Sequence, residues 1–291
     1  MSFREALAAG KFVVTAEVAP PKGTDIGEII EVAGLLKGRV DAVNVTDQQS
    51  SVMRLGSMAV CHILKDEGLE PVFQLTCRDR NRLALQSDLL SAHVLGIENV
   101  LALTGDLPEL GDHPEAKPVY DLDSVQLLQV ISRLNNGCDM AGNELKGKAA
   151  LFPGAVVNPG ADTEASYEMQ ILKLERKIAA GARFIQTQAV YDAKILAAFM
   201  ERVTGYGVPV LAGIIPLKSA GMARFMNKNI AGVNVPEELI EKIARAEDRV
   251  ETGIEIAADL IRQFRGLCQG VHLMAIGWER KVPAILDVAG L

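Results

Sequence analysis

Three short stretches put acid–base and hydrogen-bonding side chains where an apolar run stops. Glu17 is embedded in Val-Val-Thr-Ala-Glu-Val, residues 13 to 18. If this run is buried, the surroundings penalise the carboxylate and favour a carboxylic acid that can donate a proton near neutral pH. A core carboxylate in an ion pair, with an arginine from another strand as partner, is the alternative. Asp106 follows an apolar run directly in Leu-Thr-Gly-Asp-Leu-Pro, residues 103 to 108. Gly105 there lets the backbone approach a flat ligand ring closely, although an aspartate at such a place also caps turns. In Ile-Gln-Thr-Gln, residues 185 to 188, a strand period of two puts Gln186 and Gln188 on one face with Phe184. If that face is interior, each amide must be paired or ligand-bound.

Other patterns are weak or missing. Arg176 and Lys177 could hold phosphates, but cations near the end of a helix are also ordinary dipole partners. No G-x-G-x-x-G follows the first strand and no G-x-x-x-x-G-K-[ST] occurs, so any dinucleotide must be held differently from the Rossmann manner. Cys61, Cys77, Cys138 and Cys268 are scattered, with no C-x-x-C pair. The four histidines, His62, His93, His113 and His272, lack metal-ligand spacing. Neither disulfides nor a metal site is expected, and His62 and His93 read as ordinary helix residues.

The elements that must position these residues alternate along the chain. Strand-like runs rich in β-branched residues cover 12 to 18, 42 to 46, 71 to 76, 99 to 105, 154 to 159, 183 to 189, 209 to 216 and 271 to 276. Between them lie helix-length amphipathic segments such as 50 to 68, 82 to 96 and 166 to 181, each closed by Gly. Eight strands alternating with helices predict a single (βα)8 TIM barrel over residues 1 to 291. The stretch 235 to 253 adds a helix pair on the outer ring. An open doubly wound sheet is the alternative. Barrel ligands bind at the C-terminal strand ends, which is where Glu17, Thr46, Asp47, Gln74, Thr76, Asp106, Asn158, Gln186, Gln188 and Lys218 fall.

Composition restricts the partners. With 49% hydrophobic residues and 23% charged, the chain can bury a large core. A net charge of −7 and the lack of any long basic run argue against nucleic acid and anionic lipid. The first ten residues lack a signal-peptide pattern and no apolar stretch suffices to span a bilayer, so a cytoplasmic protein without membrane insertion is expected.

Taken together, Glu17, the segment QLTCRDRNRLALQSDLLSAHVLGIENVLALTGDLP and the segment AGARFIQTQAVYD resemble the methylenetetrahydrofolate reductase family. The likeness extends over nearly the whole chain, in order. It implies a barrel that binds flavin, FAD in most members with FMN as the alternative, at its strand ends. Glu17 matches the family's proton-donating glutamate, and Asp106 the aspartate beside the flavin and pterin rings. Gln188 matches a folate-contacting glutamine. Thr46, Gly105, Tyr120, Asp121, Arg176 and Lys177 match flavin-contacting positions.

Departures from the enterobacterial pattern fall at cofactor positions Gln74 (His there), Thr104 (Arg) and Asn158 (Tyr). At the folate tail they fall at Met222, where that pattern has Gln, and at Trp278, near the place of an Arg; Arg280 is a substitute cation. The implied reaction reduces methylenetetrahydrofolate to methyltetrahydrofolate. Electrons would come from NADH or NADPH or from a partner subunit, and a homo-oligomer or a place in a larger complex is expected. A barrel lyase or aldolase without flavin is the rival, and a colourless native protein would favour it.

Overall fold

The computed structural model describes residues 1–161 and 163–291. The elements run α1 (Phe3–Ala8), β1 (Val13–Val18), α2 (Gly27–Leu36), β2 (Ala42–Val45), α3 (Ser57–Asp66), β3 (Pro71–Thr76), α4 (Arg82–Val94), β4 (Asn99–Leu103), α5 (Ser124–Asn135) and β5 (Phe152–Val157). They continue through α6 (Glu164–Ala179), β6 (Phe184–Ala189), α7 (Ala193–Val203), β7 (Val210–Ile214), α8 (Ala220–Asn229), α9 (Glu237–Ala244), α10 (Arg249–Phe264), β8 (Gly270–Leu273) and α11 (Val282–Ala289). All eight strands are parallel and follow chain order round a closed barrel, with β8 returning to pair with β1. Closure excludes the open sheet. The expected outer helix pair is α9 and the start of α10.

Strand period two sorts each strand into an outward set packed under the helices and an inward set that fills the barrel. At the N-terminal end the inward set is Val13, Ala42, Val72, Leu101, Phe152, Phe184 and Leu211, which form one apolar cluster with Phe3 of α1. The Phe3 ring meets Phe184 edge-on at 5.2 Å between centroids, and Phe152 stacks on Phe184 at 5.5 Å. Gly154 makes room for this: a Cβ there would sit 2.2 Å from the Phe184 ring. Helix α1 therefore plugs the barrel floor. A capping box starts it, with the Ser2 hydroxyl accepting from Glu5 N and the Glu5 carboxylate accepting from Ser2 N.

Candidate active site

Two residues further along the strands the barrel interior becomes polar. Thr15, Asn44, Gln186 and His272 are all buried. Gln186 Nε2 donates to Thr15 Oγ1 (3.2 Å) and Asn44 Oδ1 (3.1 Å), while Asn44 Nδ2 donates back to Gln186 Oε1 (2.8 Å). His272 Nδ1 lies 2.9 Å from Thr15 Oγ1, and its Nε2 lies 3.6 Å from Glu17 Oε2. Glu17 itself is 8% exposed. Gln74 Nε2 donates to its Oε2 at 3.0 Å, and Gln49 Nε2 reaches Oε1 at 3.4 Å. No arginine pairs with it among the described residues, so the ion-pair reading of this carboxyl narrows to His272.

A second carboxylate anchors the neighbouring loops. Asp47, at the end of β2, accepts from Thr76 N (2.9 Å), Thr76 Oγ1 (2.8 Å) and Arg80 Nη1 (2.7 Å), which ties the loop after β3 to that after β2. Residues 48–51 then cross the barrel mouth as a strap. Gln48, Ser50 and Ser51 all have positive φ, between 49° and 58°, a conformation that non-glycine residues keep only when their surroundings enforce it. Arg78 enforces it by donating to Ser51 Oγ (3.0 Å) and the Gln48 carbonyl (3.4 Å). Ser51 Oγ in turn donates to the Leu107 carbonyl (2.9 Å).

Beneath the strap lies a cavity of about 220 Å³ lined by Glu17, Thr46, Gln49, Gln74, Arg78, Thr104, Gly105 and Asp106, among others. Along Thr104 and Gly105 it meets a more open groove of about 390 Å³ that adds Tyr120, Leu122, Asp123 and Gln126. The Thr46 hydroxyl is buried in the first cavity and has no hydrogen-bond partner among the described residues. A buried hydroxyl without a partner is costly, and a heterocycle with a polar edge would supply the missing bond. Gly105 (φ +97°) turns the chain tightly against Arg78. Tyr120 Oη fixes that turn by donating to the Asp106 carbonyl at 2.8 Å. The Asp106 carboxylate is exposed and accepts no hydrogen bond among the described residues, so it caps no turn there. These residues fit a flavin ring.

Other expected contacts lie apart from this cavity or are engaged elsewhere. Thr104 Oγ1 accepts from Ser124 N at the start of α5 (3.2 Å). Asp121 clamps Arg82 through both carboxylate oxygens, and those bonds hold its pKa down to about 2. Asn158 joins two loops, donating to the Ala231 carbonyl (2.7 Å) and accepting from Gly160 N (3.1 Å). Lys177 Nζ donates to the Val156 carbonyl at 2.7 Å, and burial lowers its pKa, whereas Arg176 is exposed on α6. Gln188 lies where the β6–β7 register shifts between Gln186 and Ala189, so simple alternation does not fix its face; it is half-buried, its Oε1 accepting from Ala189 N (3.1 Å). Met222 packs half-buried on the core. Trp278 lies against Gly253, with Lys218 Nζ 5.8 Å from its ring centroid. Arg280 pairs with Glu31 on α2 (2.8 Å).

Several site residues were not singled out from the sequence: His272, Asn44, Thr15, Gln49 and Arg78. Asn44 and His272 each sit mid-run in an otherwise apolar strand, and such a polar interruption is the available signal.

The family model described as "Methylenetetrahydrofolate reductase" matches residues 2–290. The chain belongs to the methylenetetrahydrofolate reductase family. Methylenetetrahydrofolate reductase 2 of Schizosaccharomyces pombe is 27% identical over 232 residues, covering 75% of this chain and 35% of the yeast protein. The 5,10-methylenetetrahydrofolate reductase of Pectobacterium carotovorum subsp. carotovorum is 27% identical over 263 residues, covering 87% and 81%. The chain thus spans about a third of its yeast relative and most of the bacterial one. Among solved structures, an uncharacterized Clostridium thermocellum protein described as binding two copies of 5-methyl-5,6,7,8-tetrahydrofolic acid superposes with a TM-score of 0.62 at 16% identity, covering 99% of this chain and 98% of that one. A 2,3-dimethylmalate lyase superposes at 0.53 with 10% identity, covering 98% and 83%. At those identities both likenesses concern the fold alone.

Proposed function

We propose that the protein reduces 5,10-methylenetetrahydrofolate to 5-methyltetrahydrofolate with a bound flavin, FAD or FMN, recharged by NADH or NADPH or by an electron-delivering partner subunit. The observation that carries this reading is one cavity shared by a buried carboxyl, Glu17, and by Thr46, Gly105 and Asp106. Membership of the family supplies the reaction that such a set would serve. A protein acting without membrane insertion, in the cytoplasm, and as a homo-oligomer or within a larger complex completes the proposal.

The chain's own residues account for the proton. Gln74 donates to Glu17 Oε2 at 3.0 Å, so that oxygen is held as an acceptor and Oε1 is the one placed to pass a proton to substrate. The contact from Oε1 to Gln49 is long, at 3.4 Å, and leaves that oxygen free to turn toward substrate. Protonation of the bridging amine breaks its bond to the methylene carbon and leaves an electrophilic iminium. The flavin, when bound, supplies the hydride that this carbon accepts. Asp106 and Gln188 orient the pterin; Thr46, Gln74, Thr104, Gly105 and Tyr120 border the flavin ring. Arg176, exposed on α6, serves its phosphates, while Lys177, bonded to the Val156 carbonyl, joins Asp121 and Asn158 in shaping the loops around it.

The test is anaerobic reduction of the native yellow protein followed by mixing with methylenetetrahydrofolate. Rapid return of the oxidised flavin spectrum is expected. A flavin-replete sample that stays reduced contradicts the folate assignment, and a colourless native protein contradicts the flavin.

A further inference from the structure

A larger cavity, about 550 Å³, lies beside the one that holds the acid, between α2, the segment after β1 and the segment after β8. Gln49 lines both, so the side chain that reaches Glu17 is also the wall between the two spaces. Ile29, Val32 and Ile276 give the larger cavity an apolar side, and Arg54 gives it a guanidinium. Arg54 Nη1 donates to the Pro20 carbonyl at 2.9 Å, yet the residue has no ion pair among the described residues and its Nε is buried without an acceptor. Other cations nearby are taken: Lys22 pairs with Asp112, and Arg280 with Glu31. A guanidinium with unfilled donors on a cavity wall is a fork for a carboxylate. The acidic groups at this cavity compete little. Asp25 and Glu279 each give an oxygen to a backbone amide, of Gly27 and Gly277, while Glu28 is exposed at the rim. Ile276 also holds a φ of +47°, which for a β-branched residue is strain kept at the cavity edge.

The opposite side of the β8 segment offers less room. Trp278 lies so close to Gly253 that a Cβ there would come within 2.9 Å of the indole ring, and Lys218 Nζ stands over that ring.

We propose that the 550 Å³ cavity holds the aryl-amide tail of the folate substrate, with a tail carboxylate on Arg54 and the pterin end reaching past Gln49 to Glu17. This rests on the folate reading above and adds to it the place and the charge partner of the tail.

Calorimetric titration of the holoprotein with p-aminobenzoyl-glutamate and with p-aminobenzamide, which lacks the carboxylates, tests it. The wild type should prefer the glutamate conjugate by about tenfold or more, the size of one charge-assisted hydrogen bond. Arg54→Met should abolish the preference, Arg54→Lys should restore part of it, and Glu28→Lys at the exposed rim should increase it. Equal affinity of the wild type for the two probes, a preference that survives Arg54→Met, or a loss of preference in Glu28→Lys overturns the proposal. If Arg54→Met fails to fold, the wild-type comparison and Glu28→Lys still decide. Fragment binding requires no hydride transfer. A protein that ignores the fragments yet reoxidises its flavin with methylenetetrahydrofolate refutes the tail site alone, and one that binds the glutamate conjugate but is never reoxidised refutes the reaction alone.

Discussion

The two ends of the barrel interior are made by the same strands with the same alternation, and they differ only in what the inward positions carry. At the floor, Phe3, Phe152 and Phe184 form a packed aromatic plug. One inward step higher, Thr15, Asn44, Gln186 and His272 form a closed hydrogen-bonded layer, and Glu17 stands on it. The floor supplies stability through packing, whereas the polar layer fixes the orientation of an acid at the mouth before any ligand arrives. The two functions are stacked rather than mixed, so they should respond separately to mutation.

The largest effect on stability is expected at the floor. Phe184→Ala removes a fully buried ring that touches both other aromatics and should cost about 3–5 kcal/mol in denaturant unfolding. The protein that remains folded should keep its flavin chemistry. A loss below about 1 kcal/mol would show that the plug does not hold the barrel together.

An intermediate effect is expected in the polar layer. Gln186→Leu leaves the Asn44 amide without its partner inside the barrel and should cost about 1–3 kcal/mol. Replacing both, Asn44→Leu with Gln186→Leu, should recover part of that loss, because no polar group of the pair is then stranded. A double variant less stable than either single one would show that packing, not hydrogen bonding, governs this layer.

The smallest effect is expected outside the barrel, at the exposed clamp between Asp121 and Arg82. Hydrogen bonds from Arg82 hold the Asp121 pKa at about 2, below the ordinary carboxylate value near 4. A depressed folded-state pKa contributes stability above the unfolded value, and that contribution is lost as the pH falls through the folded one. The advantage of wild type over Asp121→Asn in thermal unfolding should therefore shrink between about pH 4 and pH 2 and be constant near neutrality. An advantage that persists at pH 2 would mean the clamp acts by shape rather than charge.

The alternation of strands and helices makes the barrel legible in the sequence. The reading of 71 to 76 coincides with β3, and 12 to 18 differs from β1 by one residue. The expected strand at 154 to 159 starts two residues after β5 does, because Pro153 looks like a strand breaker, and Gly154, already inside it, is the gap that admits the Phe184 ring. Helix α1 has no counterpart among the sequence-predicted elements, although Ser2 and Glu5 carry the spacing of a capping box. The segment 50 to 68 reads as one helix, but the strap takes its first residues and the helix starts at Ser57. Glu17, Gln74, Gly105 and Asp106 were legible because each stands at or just beyond a strand end, and they share one cavity. His272 was not, since its meaning depends on closure: only when β8 lies beside β1 does it reach Thr15 and Glu17. Asn158 and Asp121 show the converse. Their place along the chain suits a ligand, but partners distant in sequence, Ala231 and Arg82, take their side chains.

The central claim is that Glu17 is an acid for the folate and not a structural carboxyl. Glu17→Gln preserves its size and one of its two amide contacts while removing the proton. Stopped-flow absorbance of the bound flavin follows reduction by NADH or NADPH and reoxidation by methylenetetrahydrofolate as separate steps. The account predicts reoxidation slowed by at least about a hundredfold, within the range of a positioned general acid, with flavin reduction nearly unchanged. Equal slowing of both steps, or reoxidation at the wild-type rate, would contradict it.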